Sequence, residues 1–379
     1  MKLTTAGESH GKALVAIIEG LPAHLQLDIE KINQALSLRQ SGFGRGARQK
    51  IERDRVEILS GVRNGETLGS PLTLCIHNKD FANWEESMSA GQCSLEAIEA
   101  KKLTKVRPGH ADLTGMLKYG QEDARAILER ASARETAIRV AAGEVYRQYL
   151  SALGVEIGGY VCEICGVKDE GKYAFNELAR AKTTQTGMLN AQAETQAIEK
   201  ISALKKAGDT AGGAVEIRVK GLKSGFGSVM TYTTKLDAQL AGALMSIQAV
   251  KGVEIGAGFE VATKSGKEIH DEIFYDAARG FYRTTNRAGG IEGGMSNGEE
   301  LVLRAAMKPI PTLMKGLRTV EYSTKESAVA ASERSDVCAI FALEVIAEGV
   351  IAEVLANAVA ARLGGDTMQE VMERYQKLP

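Results

Sequence analysis

Residues 335–363 read SDVCAIFALEVIAEGVIAEVLANAVAARL and form the longest apolar segment of the sequence. Ser335 and Asp336 supply helix-capping side chains ahead of an almost continuously apolar run over residues 337–343. The apolar pattern persists to Leu363, so the stretch predicts one long helix. A helix that is apolar on most sides must be covered on most sides, in the core or against another subunit.

A second long helix is predicted over residues 121–150, and shorter ones over residues 28–38, 94–102 and 189–206. The apolar residues of the second long helix recur at about the 3.6-residue period of an amphipathic helix; they are Ile127, Ala131, Ile138, Ala142, Val145 and Tyr149. Strands are predicted over residues 56–60, 72–76, 214–219 and 301–304. Most of these runs alternate apolar with polar residues, which suits a sheet with one covered face.

These elements predict an α+β fold, a large single-domain layered sandwich of antiparallel sheets and long helices. No internal repeat, low-complexity tract or Pro/Ser-rich linker divides the sequence, so we expect residues 1–379 to form one domain. The lysine- and alanine-rich segment over residues 168–208 is the best candidate for an insertion or a lid.

Composition excludes several classes of protein. The 379 residues are 44% hydrophobic and 25% charged, as in ordinary globular proteins. The net charge of −1 gives no overall field that would gather nucleic acid or an anionic membrane, so we expect neither as a partner. No targeting segment is evident, since the first apolar run is only Ala13 to Ile18, and the cytoplasm is the expected compartment.

The five cysteines are an odd number and lie far apart, so they do not predict a disulfide framework. Cys162 and Cys165 form the one C-x-x-C pair, on a predicted strand where side chains three apart face opposite sides. With no second ligand pair at a suitable spacing, we expect buried thiols and no metal.

Two of the five histidines stand in glycine-bearing polar segments, His10 in GESHG and His110 in RPGHAD. Histidine exchanges protons near neutral pH, and glycine lets the backbone approach a ligand closely. Each segment taken alone is better interpreted as a turn, and a lone histidine is more often structural than catalytic. Two such segments together favour an acid/base site.

Arginines recur in the same neighbourhoods and could grip phosphates and carboxylates; they are Arg39, Arg45, Arg48, Arg107, Arg130, Arg134 and Arg334. A solvated charged face is the alternative, and it is the preferred interpretation for Arg125 and Glu129, four apart on one helix. Lys308-Pro-Ile-Pro-Thr312 could hold a cofactor by backbone atoms or be a plain connector. The default role of Asp336 is helix capping.

Taken together and in this order, these segments resemble the chorismate synthase family over residues 1 to about 360. Three stretches match that family's signatures almost throughout: GESHGKALVAIIEGLP (7–22), ERASARETAIRVAAG (129–143) and residues 334–348. Five shorter ones agree as well: RQSGFGRG (39–46), RPGHADL (107–113), KGVEIG (251–256), GGIEGG (289–294) and KPIPT (308–312). The departures are small, with Gln248 where asparagine is common, Val106 where proline is usual and Phe43 where tyrosine is frequent.

The resemblance implies a β-α-β sandwich and assigns roles to individual positions. His10 would donate a proton to the departing phosphate and His110 to the reduced flavin, and Asp336 would assist proton removal at flavin N5. The implied FMN contacts are Arg130, Ala131, Ser132, Gln248, Ala249, Gly293, Lys308, Pro309, Ile310, Pro311, Thr312 and Arg334. Arg39 and Arg45 correspond to positions assigned to reduced nicotinamide cofactor, or they serve the anionic substrate; the implied substrate contacts are Ser9, Arg48, Arg107 and Arg134.

The activity implied by the resemblance is a lyase reaction of the shikimate pathway. Such an enzyme converts 5-enolpyruvylshikimate 3-phosphate to chorismate and phosphate by 1,4-anti elimination with reduced FMN, with NADPH as a possible source of reduced flavin. The family is homotetrameric, which agrees with the apolar helix after Val337. A flavin reductase is the first alternative, but it would not need a substrate acid such as His10. A non-catalytic binding protein is the second, and it leaves the clustered histidines and arginines unexplained.

Overall fold

The structure is a computed structural model that describes residues 1–46, 53–278, 280–331 and 335–379. Two antiparallel sheets enclose a layer of helices, as the sequence predicts for an α+β sandwich. The strands are β1 (Lys2–Ala6), β2 (Ala13–Glu19), β3 (Glu57–Ser60), β4 (Val62–Arg63), β5 (Glu66–Thr67), β6 (Leu72–His77), β7 (Glu156–Ile164), β8 (Val167–Lys168), β9 (Gly213–Lys220), β10 (Val250–Ile255), β11 (Ile273–Asp276), β12 (Gly280–Arg283), β13 (Ile291–Glu292), β14 (Met295–Ser296), β15 (Leu301–Met307), β16 (Arg318–Val320) and β17 (Ser327–Val329).

The helices connect and cover these strands. They are α1 (Ile29–Gln40), α2 (Glu85–Met88), α3 (Leu95–Lys101), α4 (Asp112–Tyr119), α5 (Arg125–Ala131), α6 (Thr136–Ser151), α7 (Ala191–Ala207), α8 (Leu236–Met245), α9 (Gly266–Ile269), α10 (Ile340–Leu363) and α11 (Met368–Gln376). Helix α1 begins after Asp28, whose carboxylate accepts hydrogen bonds from the backbone N–H groups of Glu30 and Lys31. Ser94 and Asn190 cap α3 and α7 in the same way, so local capping chemistry sets these starts.

One sheet has the strand order β1-β2-β6-β3 and the other β10-β15-β9-β7-β8. Helix α6 packs on β2 and β6 of the first sheet, and α10 packs on β7 and β9 of the second. The two helices also pack along each other and fill the space between the sheets. This arrangement confirms the β-α-β sandwich, because each sheet covers its apolar face with a helix.

The contact between the central helices depends on two glycines. A Cβ on Gly143 of α6 would lie 2.4 Å from the Cα of Gly349 in α10, a distance that no real Cβ contact shows. Gly143 therefore lets the two helix backbones approach more closely than any other residue would allow.

The apolar stretch quoted first forms α10, and every residue from Ile340 to Ala352 is buried within the chain. The predicted start at Ser335 is wrong. Val337 instead accepts a hydrogen bond from Ala211 N–H and donates its own N–H to Gly44 O, both at 2.8 Å. Long-range pairing holds this segment extended, so the helix begins at Ile340 and Asp336 is not its cap.

The predicted helix over residues 121–150 is two helices, α5 and α6, joined by a 3₁₀ turn over Ala133–Glu135. Ser132 has extended backbone angles and ends α5, and its hydroxyl accepts a hydrogen bond from Arg134 N–H. The apolar period continues across this break, which is why the sequence pattern does not reveal it.

Three buried carboxylates lie where α6 and α10 meet, and two partly exposed cations pair with them. Lys182 lies between Glu344 and Glu348, and Arg147 pairs with Glu348 at 3.2 Å and with Glu144 at 3.1 Å. Burial and the nearby Glu348 raise the pKa of Glu344 to about 8, so this carboxyl keeps its proton near neutral pH. Such a network fixes the relative rotation of the helices, since each charge needs its partner.

The structure also bears on the cysteines and on the segment over residues 168–208. All five cysteines are free thiols; Cys162 lies on β7 and Cys165 in the turn after it. The segment over residues 168–208 contributes Met188, Ala197 and Ile201 to the main core, and its role as an insertion or lid stays a prediction. Within the described ranges, no helix combines the length and the hydropathy needed to cross a bilayer.

Candidate functional site

His10 lies in the loop between β1 and β2 and is held by Glu129 at the end of α5. The His10 backbone N–H donates to Glu129 Oε2 at 2.7 Å, and ring Nδ1 hydrogen-bonds Oε1 at 2.8 Å. The N–H of Ser9 donates to the Glu129 carbonyl at 2.9 Å. Both His10 and Glu129 are buried. This double anchor fixes the ring and leaves Nε2 as the nitrogen that can reach a ligand.

Glu129 is ionised in this setting. Burial alone would raise the pKa of its carboxyl, but hydrogen bonds and charge from His10, together with the charge of Arg125, lower that pKa overall. Arg125 Nη1 lies 3.6 Å from Glu129 Oε1. The interpretation of Arg125 and Glu129 as a solvated pair is therefore wrong, because the pair exists but is buried and serves His10.

Trp84 covers the other side of the His10 ring. The two rings stack with centroids 3.9 Å apart, and the Trp84 indole N–H donates to Asp80 at 3.1 Å. Lys101 and Arg125 lie over the Trp84 ring, 4.2 Å and 5.0 Å from its centroid. Stacking and cations together hold the indole, so the imidazole is restrained from two directions.

Arg134 and Asn78 hold the loop that carries His10. Arg134 pairs with Asp54 at 2.6 Å and donates to the Asn78 side-chain oxygen at 2.8 Å and 3.0 Å. The Asn78 amide in turn donates to the carbonyls of Glu8 and Gly11. The guanidinium therefore positions the loop through one amide side chain.

Arg39 and Arg45 extend this cationic group. Arg39 donates to Thr136 and Ala133 and lies 3.8 Å from Asp54, while Arg45 pairs with Asp336 at 3.1 Å. Burial, and to a smaller extent Arg45 and Arg134, lower the pKa of Arg39 to about 9, so it stays charged at neutral pH. Arg39, Arg45 and Arg134 therefore bring three guanidinium groups close together, as binding of an anionic ligand would require.

His110 belongs to a second group, built on the start of α4. Its Nδ1 hydrogen-bonds Asp112 Oδ1 at 2.5 Å, and Arg107 donates to both oxygens of the same carboxylate at 2.8 Å and 3.0 Å. Burial alone would raise the pKa of Asp112, but hydrogen bonds and charge from His110 and Arg107 hold it well below its usual range. Arg107 also donates to Thr312 Oγ1 at 3.0 Å.

The segment Lys308 to Thr312 lies along this second group. Lys308 Nζ donates to Gly109 O, and Lys308 N–H donates to Ala249 O at 3.0 Å. Ile310 O accepts from the Thr210 hydroxyl at 2.8 Å. A Cβ on Gly109 would lie 3.6 Å from the Pro311 Cβ, so the His110 loop and this segment face each other.

Gln248 and Ala249 connect the two groups. Gln248 donates to Glu135 at 3.2 Å, and Arg130 lies 3.8 Å from Glu135 while donating to the backbone carbonyls of Thr5 and Gly7. Ala249, the next residue, meets Lys308. A continuous series of contacts thus runs from the His10 loop to the His110 loop.

The remaining predicted site residues divide into three sets. Ser132 donates to the Ser9 hydroxyl at 3.2 Å, and Ala131 ends α5 beside them. Gly293 lies in the turn between β13 and β14, where a Cβ would meet only Met295 and Val229 at 3.9 Å, so the described contacts do not join it to the rest. Arg48 and Arg334 lie outside the described residues.

Sequence reasoning missed the partners of the functional side chains. Those partners are Asp54, Asn78, Trp84, Asp112 and Glu129. Asp112 stands two residues after His110, a spacing that could have suggested a pair. No local signal links the others, because they meet His10 or Arg134 only after folding.

Comparison with known proteins shows which family the chain belongs to. A family model described as "Chorismate synthase" matches residues 1–360. Chorismate synthase of Caldicellulosiruptor bescii is 51% identical over 100% of this chain and 99% of its own length, and that of Geobacter sulfurreducens is 52% identical over 99% and 98%. A crystal structure titled "Crystal Structure of Chorismate Synthase" aligns with a TM-score of 0.79 at 37% identity, covering 99% of this chain and 96% of that one. The chain therefore belongs to the chorismate synthase family.

Proposed function

We propose that the chain converts 5-enolpyruvylshikimate 3-phosphate to chorismate and phosphate by a 1,4-anti elimination that requires reduced FMN. As a chorismate synthase it is a lyase of the shikimate pathway. The observation that supports the finer statement is that His10 and His110 each have Nδ1 bound by a buried carboxylate. Both rings are therefore oriented to use Nε2 for proton transfer.

The residues present fit a bound flavin mononucleotide. Gln248 Oε1 is a buried hydrogen-bond acceptor without a partner among the described residues. A buried polar atom without a partner costs free energy unless a ligand completes it. The isoalloxazine ring of a flavin offers N–H donors that could complete this acceptor. Arg130, Ala131, Ser132, Gln248, Ala249 and the segment from Lys308 to Thr312 would hold the flavin, with Gly293 and Arg334 as further proposed contacts.

Reduced FMN, when bound, would lend electron density to the allylic system of the substrate and recover it, so the reaction has no net redox change. His10 would hold at Nε2 the proton that the departing phosphate takes. His110 would hold a proton for the reduced flavin, and Asp336 would assist proton removal near flavin N5. The bond from carbon to phosphate oxygen breaks as a ring C–H bond gives up its proton.

The cationic group would bind the anionic substrate. The substrate carries one phosphate and two carboxylates, and Arg39, Arg45 and Arg134 place three guanidinium groups beside one another around Asp54 and Asp336. Ser9, Arg48 and Arg107 complete the proposed substrate contacts. Each charge-assisted hydrogen bond would contribute about 1.5–3 kcal/mol, less where water remains. Arg39 and Arg134 both contact Asp54, so they belong to one group. This shared partner favours binding of the substrate by Arg39 and Arg45 over binding of a nicotinamide cofactor.

An anaerobic assay of phosphate release tests the proposal. The chain is supplied with 5-enolpyruvylshikimate 3-phosphate and chemically reduced FMN, and then with oxidised FMN and NADPH only. We expect release with reduced FMN; release in the second assay would show that the chain also reduces its own flavin. A folded protein that releases no phosphate with fully reduced FMN would overturn the proposal.

A further inference from the structure

A group of three potential metal ligands lies on the first sheet, and the proposed elimination gives it no role. Glu57 on β3 is the cross-strand partner of Cys75 on β6, and His77 follows Cys75 by two residues. Side chains two apart on a strand face the same side of a sheet, as do cross-strand partners. The pairing of the two strands therefore places all three side chains on the same face of the sheet.

The distances between their ligand atoms suit one ion. His77 Nε2 lies 2.8 Å from Glu57 Oε2 and 3.9 Å from Cys75 Sγ, and the three ligand atoms all lie within 4.8 Å of one another. Zinc holds N, O and S ligands at about 2.0–2.3 Å, so tetrahedral ligand atoms are about 3.3–3.8 Å apart. The His77–Glu57 contact must open to admit an ion, and the Glu57 side chain, which is 56% exposed, has room to rotate.

We propose that Glu57, Cys75 and His77 form a binding site for a divalent transition-metal ion of the zinc type, with the fourth position open to water. Thiolate and imidazole select zinc, cobalt or similar ions over magnesium and calcium, which prefer oxygen ligands. Binding forms the metal–sulfur bond as the Cys75 thiol releases its proton to solvent, and no electron transfer is involved.

The position of this site connects it to the substrate groups. His77 immediately precedes Asn78, the residue that joins Arg134 to the loop carrying Ser9 and His10. His77 also pairs with Ala13, the first residue of β2 after that loop. A bound ion would tie β3 to the end of β6 and restrain the backbone that supports the His10 loop.

Cobalt(II) titration of the full chain, purified without added flavin, tests the proposal. We expect one equivalent to bind with a sulfur-to-cobalt charge-transfer band, and zinc to displace it. Cys75→Ser should abolish the band, and His77→Gln should weaken binding by more than about tenfold, since even residues behind the ligands have effects of that size. His77 is exposed, so His77→Gln preserves the fold if Cys75→Ser does not.

Matched variants separate this site from incidental binding. His24 forms a similar exposed pair with Glu66, at 3.1 Å, without a cysteine as third member. Cys93 is a free thiol that does not belong to the proposed site. His24→Asn and Cys93→Ser should leave the cobalt spectrum and the affinity unchanged. The proposal fails if wild type shows no thiolate band, if the band survives His77→Gln at full affinity, or if Cys93→Ser removes it.

Discussion

At the scale of single residues, the two histidines share one design. Each imidazole uses Nδ1 to bind a buried carboxylate, Glu129 for His10 and Asp112 for His110. Each carboxylate is itself held by an arginine, at 3.6 Å from Arg125 and at 2.8 Å from Arg107. Ring orientation is therefore fixed before any ligand arrives, which leaves the opposite nitrogen for the proposed proton transfer.

His10→Ala and His110→Ala should each lower turnover by about 10²–10⁴, the usual loss for a general acid or base, and leave the fold intact. The measurement is the steady-state rate of phosphate release under anaerobic conditions with reduced FMN. Circular dichroism spectra check that each variant is folded. Wild-type rates in both variants would end the assignment of these residues as proton donors.

Glu129→Gln should lower turnover because a neutral amide orients the His10 ring less firmly than a carboxylate does. If Glu129 acts only through His10, the same substitution should have almost no further effect on turnover in the His10→Ala background. Glu66→Gln, which alters the exposed partner of His24, is the matched control and should be silent. Equal losses in both backgrounds would show that Glu129 acts independently of His10.

At the scale of the elements, the sequence predicts helix boundaries that depend on nearby residues. It does not predict boundaries that depend on residues far away in the chain. Asp28, Ser94 and Asn190 cap their helices as their side-chain chemistry predicts, because an N-cap depends on residues within one turn. The break at Ser132 is hidden because the apolar period continues across it. The helix start at Ile340 depends on the pairing of Val337 with Ala211 and Gly44, which are far away in the chain. The same reason explains the site: its histidines stand in recognisable motifs, but their partners Glu129 and Asn78 do not.

Gly143→Ala should destabilise the fold by about 1–3 kcal/mol, because its Cβ would meet the backbone of Gly349 and that backbone cannot move aside without displacing α10. Gly242→Ala on the exposed face of α8 is the control, since its Cβ would meet nothing within 4 Å. That change should raise stability by about 0.5–1 kcal/mol. Denaturant unfolding measures both, and equal effects would contradict the close approach of the helices.

The buried charges between α6 and α10 predict a pH dependence of stability. The folded-state pKa of Glu344 is raised to about 8, from 4.5 for the free side chain, mainly by burial and also by Glu348. Its contribution to stability is fully present below 4.5 and is lost as the pH rises through about 8. Glu344→Gln, which mimics the protonated carboxyl, should flatten this decline in the denaturant midpoint. The same slope in both proteins would exclude Glu344 as its origin.

At the scale of the whole molecule, the structure moves the expected subunit contact from helix α10 to another apolar surface. Helix α10 is buried inside its own chain, so its apolar surface does not by itself require a second subunit. Apolar side chains are instead exposed on the β11–β12 hairpin, where Tyr275 is 66% and Phe281 78% exposed. An apolar surface of this kind is typical of contact regions between proteins.

We predict a homotetramer, as the family resemblance implies. Light scattering coupled to size-exclusion chromatography at micromolar concentration should give a mass about four times that of the chain. A monomer under these conditions would contradict the prediction, while the fold and the site described above would stand, because both are complete within one chain as far as the described contacts reach.

The pairing of Gly44 with Val337, and of Arg45 with Asp336, links the site to the order of biosynthesis. His10 is translated near the start of the chain. Asp336, whose carboxylate pairs with Arg45, is translated only when most of the polypeptide has been made. A nascent chain can therefore form its N-terminal sheet early and still lack the partner of Arg45 in the cationic group. The proposed site is therefore complete only after residues 336 and 337 have been translated.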